Sequence, residues 1–170
     1  MDKVVEYDIG WYPELAVSGP LLMADDGKLV FSFNATRLAS DGYHRADAGR
    51  VVVRVPWCLA FKFGYPNDEA LTGHPLYDHG FVGTAVYEVL ESSWIAQVGC
   101  QNRVPFPEMD TAVWDVRHFL FSFHDSTLEV LCRGLEVSLA TESLAAEIRE
   151  MQSWLLGEAD PNSAPDPIRV

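Results

Sequence analysis

Arg117-His118-Phe119-Leu120-Phe121-Ser122-Phe123-His124-Asp125-Ser126-Thr127-Leu128-Glu129-Val130-Leu131-Cys132 holds two alternating runs broken at a polar patch, His124-Asp125-Ser126-Thr127. A period of two interrupted by turn residues predicts a β-hairpin. Pairing Phe123 with Leu128 sets Phe121 against Val130 and Phe119 against Cys132, which makes one face wholly apolar. The opposite face then carries His118 across from Arg133, Leu120 across from Leu131, and Ser122 across from Glu129. A one-residue slip would set the Phe row against Glu129, Leu131 and Arg133, so burial is expected to fix the register. His124 and Asp125 come to the hairpin tip.

Downstream, the apolar positions change phase. Leu128, Val130 and Cys132 are even-numbered, whereas Leu135, Val137 and Leu139 are odd, and the switch falls at Gly134. A glycine at a phase change is where a β-bulge can bend a strand. Thr141 is then placed to cap a helix running to about Leu156, with Leu144, Ile148, Met151 and Leu155 on one stripe. Gly157 ends it, and residues 158–170, with three prolines, are expected to form a flexible C-terminal tail.

Upstream, residues 111–116 lead into the hairpin and residues 84–92 read as another strand. Ser92 or Ser93 caps a short helix with Trp94, Ile95 and Val98 on one side, stopped by Gly99, and Asn102 to Pro107 connect onward. Nearer the N-terminus, Val4 to Tyr7 suit a short edge strand. Residues 21–24 and 28–33 form a hairpin across Asp25-Asp26-Gly27. Residues 35–50 read as a polar loop with His44 in solvent. Val51 to Val55 form a β-branched strand, and Pro56 bends the chain or marks a sheet edge. Residues 57–63 carry few polar side chains, which predicts a strand buried on both faces. Many short antiparallel strands and one long C-terminal helix make an α+β chain, mainly antiparallel β. The sheet is expected to be bent, barrel- or sandwich-like, with helix 141–156 packed on it. Residues 1–157 read as one globular domain. Its expected core is Phe119, Phe121, Phe123, Leu128, Val130, Cys132, Leu59, Phe61, Phe63, Ile148, Met151 and Leu155.

The 170 residues include 20 aromatic side chains and carry a formal net charge of −13. Such a field repels phosphate backbones, and no basic patch offsets it, so nucleic acid is not an expected partner. Cys58, Cys100 and Cys132 are odd in number and outside any CxxC, which points to neither a disulfide framework nor a zinc knuckle. The first residues show no signal-peptide pattern, and no apolar run reaches the length of a membrane span. The expectation is a cytoplasmic chain with no membrane partner. Its oligomeric state stays open.

The second unusual stretch is Gly64-Tyr65-Pro66-Asn67-Asp68-Glu69-Ala70-Leu71-Thr72-Gly73-His74-Pro75-Leu76-Tyr77-Asp78-His79-Gly80. It has neither period, and loops of this length inside compact domains are usually functional or disordered. Its Leu and aromatic content argues for pinning to the body, with Asn67 or Asp68 capping one helical turn that Gly73 ends. Together with Phe-His-Asp-Ser-Thr-Leu-Glu (123–129), the segment 64–76 resembles a set of small bacterial proteins without an assigned activity. The resemblance covers about residues 57–139, implies a compact domain of its own kind, and brings no site residues.

Three chemistries suit these stretches. A metal site would draw on His74, His79, His118 and His124 with Asp68, Asp78 or Asp125, but the spacing fits no ligand pattern. His118 and His124 also lie about 20 Å apart along a strand, so no metal or cofactor is expected. General acid–base chemistry would use His124, Asp125, His74 and Glu129, without a nucleophile elbow or phosphate cradle to accompany it. Structurally, Asp125, Ser126, Asn67 and Asp68 satisfy turn amides, and the two stretches lock each other. Binding candidates are Asn67, Asp68, His74, Tyr77, His118, His124 and Asp125. Two functions follow from these readings. The first is a non-catalytic, acidic, cytosolic module that binds a protein partner, as immunity or regulatory proteins do. The alternative is a small enzyme or ligand-binding protein with a pocket between loop 64–80 and hairpin 118–133.

Overall fold

Two antiparallel sheets, stacked through a layer of phenylalanines, form the body of the computed structural model, which describes residues 1–108, 115–140, 143–157 and 168–169. The strands are β1 Lys3–Glu6, β2 Tyr12–Pro13, β3 Leu21–Ala24, β4 Leu29–Leu38, β5 Arg45–Val55, β6 Cys58–Gly64, β7 Val86–Leu90, β8 Arg117–Ser122, β9 Thr127–Cys132, β10 Glu136–Leu139 and β11 Ile168–Arg169. Helix α1 spans Ser93–Arg103 and α2 spans Leu144–Leu156. One sheet runs β1-β7-β8-β9-β6. The other runs β11-β10-β5-β4-β2, with β3 also on β4. The architecture is the expected α+β one, in its sandwich form: the sheets stay open and do not close into a barrel.

Alternation explains the stacking. Phe31 and Phe33 of β4 and Val51, Val53 and Val55 of β5 point inward, where they meet Phe119, Phe121, Leu128, Val130 and Cys132. Phe31 packs edge-on against Phe121 at 4.8 Å between centroids, a favoured aromatic geometry. The outward faces are buried too. Val30 and Val52 lie under Met151 of α2. On the other side, Leu120, Tyr87 and Val89 lie under Leu71, Leu76 and Phe81 from the segment between β6 and β7.

The hairpin forms with the expected faces but a different register. Phe121 stands opposite Leu128, Phe119 opposite Val130, His118 opposite Leu131, Leu120 opposite Glu129, and Ser122 opposite Thr127. A shift of two residues leaves every side chain on its own face, so burial discriminates only odd slips. The turn decided the rest. The Phe123 N–H donates to the Ser126 carbonyl at 2.9 Å, which closes the loop on His124 and Asp125 alone.

Other expectations change with the tertiary context. Residues 35–50 are mostly strand, and the connection shrinks to 39–44, where the Asp41 carboxylate accepts the Tyr43 and His44 N–H groups. A register shift after Ala35 pairs Thr36 with Asp47, and Gly49 supplies φ +82° beside it. The phase change at Gly134 is not a bulge within one strand but a crossing between sheets. β9 ends at Cys132 in one sheet and β10 starts at Glu136 in the other. β5 and β6 make the same crossing through Pro56-Trp57. Because β6 lies at a sheet edge, Phe61 and Phe63 are exposed and Leu59 is only half-buried, against the expectation of a core strand. Gly99 does not stop α1. It faces the body inside a helix that runs to Arg103.

Helix α2 also turns a different stripe inward. Leu144 is exposed and Ile148 half-buried, while Glu147 and Met151 are buried. The cause is Arg50 beneath the helix, whose Nε lies 3.0 Å from both Glu147 carboxylate oxygens. Its Nη1 and Nη2 donate to Asn34 and Ser32. Arg54 pairs with Glu150 one turn on. The expected cap Thr141, the lead-in residues 111–114 and tail residues 158–167 and 170 lie outside the described residues. Within that tail, Ile168–Arg169 pair with β10.

Candidate functional site

The long segment after β6 is ordered by its own caps. Asn67 Oδ1 accepts the Ala70 N–H at 3.2 Å and opens a 3-10 turn over Asp68–Gly73, as the turn chemistry predicts. The His74 N–H closes it on the Leu71 carbonyl. A second turn, Tyr77–His79, ends at Gly80 with φ +108°. Only glycine suits that position: a Cβ there would sit 2.6 Å from the Val4 carbonyl oxygen of β1. Leu71, Leu76 and Phe81 then bury onto the outer face of β7 and β8, with Tyr77 packed beside them. The face on which a pocket was expected is filled by the loop's own apolar side chains.

Beside this apolar patch lies a polar cluster. Glu129 of β9 stands opposite Lys62 of β6 and carries His118 of β8 on its other side. Lys62 Nζ lies 3.3 Å from Glu129 Oε1 and 3.7 Å above the Trp94 ring. His118 Nε2 lies 3.0 Å from Glu129 Oε2, out of line for a full hydrogen bond, and its Nδ1 is 2.9 Å from Ser92 Oγ. Trp94 packs edge-on to the His118 ring. His74 comes down from the loop, with Nε2 3.9 Å from Glu129 Oε1 and Nδ1 accepting the Leu76 N–H.

The electrostatics follow from burial and partners. Burial pushes the Glu129 carboxyl up, but His118, Lys62 and His74 together outweigh it and hold the group below its ordinary range. His74 moves the other way: desolvation lowers its pKa more than the Glu129 charge raises it.

The hairpin tip is a separate, exposed cluster. His124 Nδ1 lies 2.9 Å from Asp125 Oδ1, and its Nε2 lies 3.8 Å from Asp68 Oδ2. The Asp68 N–H donates to the His124 carbonyl at 3.0 Å, and the His124 N–H donates to Ser18 Oγ. The long loop and the hairpin tip therefore touch, as expected, through Asp68. His74 and Asp125 do not take part in one site: His74 faces Glu129 and Asp125 serves His124.

Hydrogen bonding to Asp125 and then the Asp68 charge raise the His124 pKa above the usual value of about 6.5. In an NMR titration His124 is expected to stay protonated to higher pH than a free imidazole, and Asp125→Asn should move the midpoint back down. Because the folded value is the raised one, the tip's stabilisation is complete at low pH and fades as pH rises through that value. An unchanged midpoint in Asp125→Asn would show that the contact does not exist in solution.

Nothing in the sequence marks Ser92, Trp94 and Lys62 as site residues, although Ser92 is legible as a cap: its Oγ accepts the Ile95 N–H at 3.2 Å. The order hydroxyl, imidazole, carboxylate through Ser92, His118 and Glu129 is that of an activated nucleophile. Yet Ser92 is buried and already capping, and the Asp2 carboxylate accepts both the Ser93 N–H and hydroxyl at the α1 N-terminus. A shallow depression of about 490 Å³ opens next to it, lined by Glu88, Glu91, Ser92, Ile95 and Arg117 among others. Among the described residues no group of three His, Cys, Asp or Glu side chains could hold a metal ion, and no helix is long and apolar enough to cross a membrane. Comparisons with protein-family models, curated proteins and solved structures found no match, so the site's reading rests on its own geometry.

Proposed function

We propose that this chain is a non-catalytic protein-interaction module. One observation carries the reading. The groups able to move protons on the hairpin's polar face converge under cover: His118 and His74 are buried, and the Glu129 side chain, 12% exposed, lies 3.0 Å from His118 Nε2 and 3.9 Å from His74 Nε2. Their role is to pin that segment and α1 to the sheet. An acidic surface suits a basic partner, and the reading keeps the cytosolic setting, in which buried thiols such as Cys58 and Cys132 stay reduced. Burial pushes these thiols up to about 11 and about 12, so they act as small hydrophobes.

The rival is an esterase-like use of Ser92, favoured by its contact with His118. A fluorophosphonate probe separates the two. The module reading expects no labelling of Ser92, and it expects Glu129→Gln to cost about 1–3 kcal/mol of stability by leaving buried donors poorly matched. Stoichiometric labelling that vanishes in Ser92→Ala and in His118→Gln would overturn it.

A further inference from the structure

We infer that the outer edge of β6 is a docking site for an extended, basic segment of a partner protein, which adds a strand to the sheet. The inference rests on the interaction-module reading and gives it a surface and a partner chemistry. β6 ends its sheet. It pairs with β9 on one side, and among the described residues no strand pairs with its other side. An unpaired edge is a template for another strand, and proteins usually blunt it with outward charges, prolines or bulges. Here the one charge, Lys62, is turned to the outer face and held between Glu129 and Trp94. The register irregularity lies only at the start, between Cys58 and Ala60.

The face left open is aromatic. Phe61 stands opposite Val130 and Phe63 opposite Leu128, so both belong to the apolar inner face of the sheet, yet they are 38% and 46% exposed. Tyr65, just past the end of the strand at Gly64 (φ +139°), is 81% exposed. The Phe61 and Phe63 pair at i and i+2 matches the side-chain spacing of an added strand, whose apolar residues would cover these rings.

Charge chooses the partner. Near the Gly64 end, at the hairpin tip, Asp68 and Asp125 flank His124 with Glu69 beside them, while the strand's own Lys62 is paired with Glu129. At the Cys58 end, where the Cys58 N–H donates to the Gly27 carbonyl, the Asp25 carboxylate accepts the Lys28 N–H. Lys28 reaches to α2, and Arg133 stacks on Trp57. A strand carrying Lys or Arg toward the Gly64 end is attracted. A second copy of this chain, also at −13, is repelled.

The test uses the full chain and a synthetic peptide, Lys-Val-Lys-Val-Thr-Val-Thr-Val, whose N-terminal lysines fall at the Gly64 end when it pairs antiparallel to β6, followed by amide NMR shifts and fluorescence titration at low salt. Expected are saturable binding, shifts concentrated in residues 59–65, and loss of about tenfold in affinity in Phe61→Thr/Phe63→Thr, with the fold intact by circular dichroism. Replacing both lysines by glutamate, or N-methylating alternate amides, should abolish binding. Absence of binding by the basic peptide at millimolar concentration overturns the proposal, as do shifts mapping elsewhere or a dimer of the chain lost in the same Phe variants. Each of these leaves the module reading standing, whereas Ser92 labelling would remove that reading without touching the edge.

Discussion

Phe121→Ala is expected to lower the unfolding free energy by about 3–5 kcal/mol, a large part of a domain's typical stability. The ring is fully buried between the sheets, with Phe31 edge-on at 4.8 Å and Phe33 and Phe123 each at 6.3 Å. Truncation removes apolar surface from both sheets at once, and neighbours fixed on two rigid strand ladders cannot collapse into the gap. Urea unfolding followed by tryptophan fluorescence reads the loss as a lower midpoint at unchanged slope. Phe61→Ala is the control. That ring is on the same face but at the sheet edge, so its loss should cost about 1 kcal/mol or less, since little packed surface disappears. A Phe121→Ala loss below about 1 kcal/mol would mean that the two sheets do not pack through this ring.

Glu147→Ala is expected to cost a similar amount, about 3–5 kcal/mol, because it leaves the Arg50 guanidinium under α2 without its counter-charge. Glu147 is 1% exposed and meets Arg50 through both carboxylate oxygens at 3.0 Å. Asn34 and Ser32 keep two of the guanidinium hydrogen bonds, but neither supplies charge. Replacing both partners, in Arg50→Met/Glu147→Leu, should recover most of the loss, since a packed apolar pair avoids the desolvation cost. Thermal unfolding of the two singles and the double gives the coupling. Simple additivity of the singles would mean that the pair is solvent-screened and that α2 is held by its other contacts, Met151, Trp154 and the Arg54–Glu150 pair among them.

The amino-acid sequence by itself determined local structure wherever one short-range force dominates. Alternation assigned the inner face of Phe119, Phe121, Phe123, Leu128, Val130 and Cys132, all fully buried. Turn and cap chemistry placed the Asp25-Asp26-Gly27 turn, the Ser92 cap and the Asn67-capped turn ending at Gly73. It also foresaw that loop 64–80 touches the hairpin tip. The tertiary structure alone decided matters that depend on non-local neighbours. A two-residue register shift preserves every face and so is invisible to periodicity. Whether Phe61 and Phe63 are core or edge depends on whether another strand lies beyond β6, and their own residue types are the same in either case. Glu147 faces inward because Arg50, 97 positions away, waits there. For the same reason the polar cluster was only half legible: His118, His74 and Glu129 were named, but their convergence with Lys62, Ser92 and Trp94 comes from three strands, a loop and a helix meeting on one face. Side-chain chemistry is local and can be read along the chain; burial and pairing are properties of the assembled sheets.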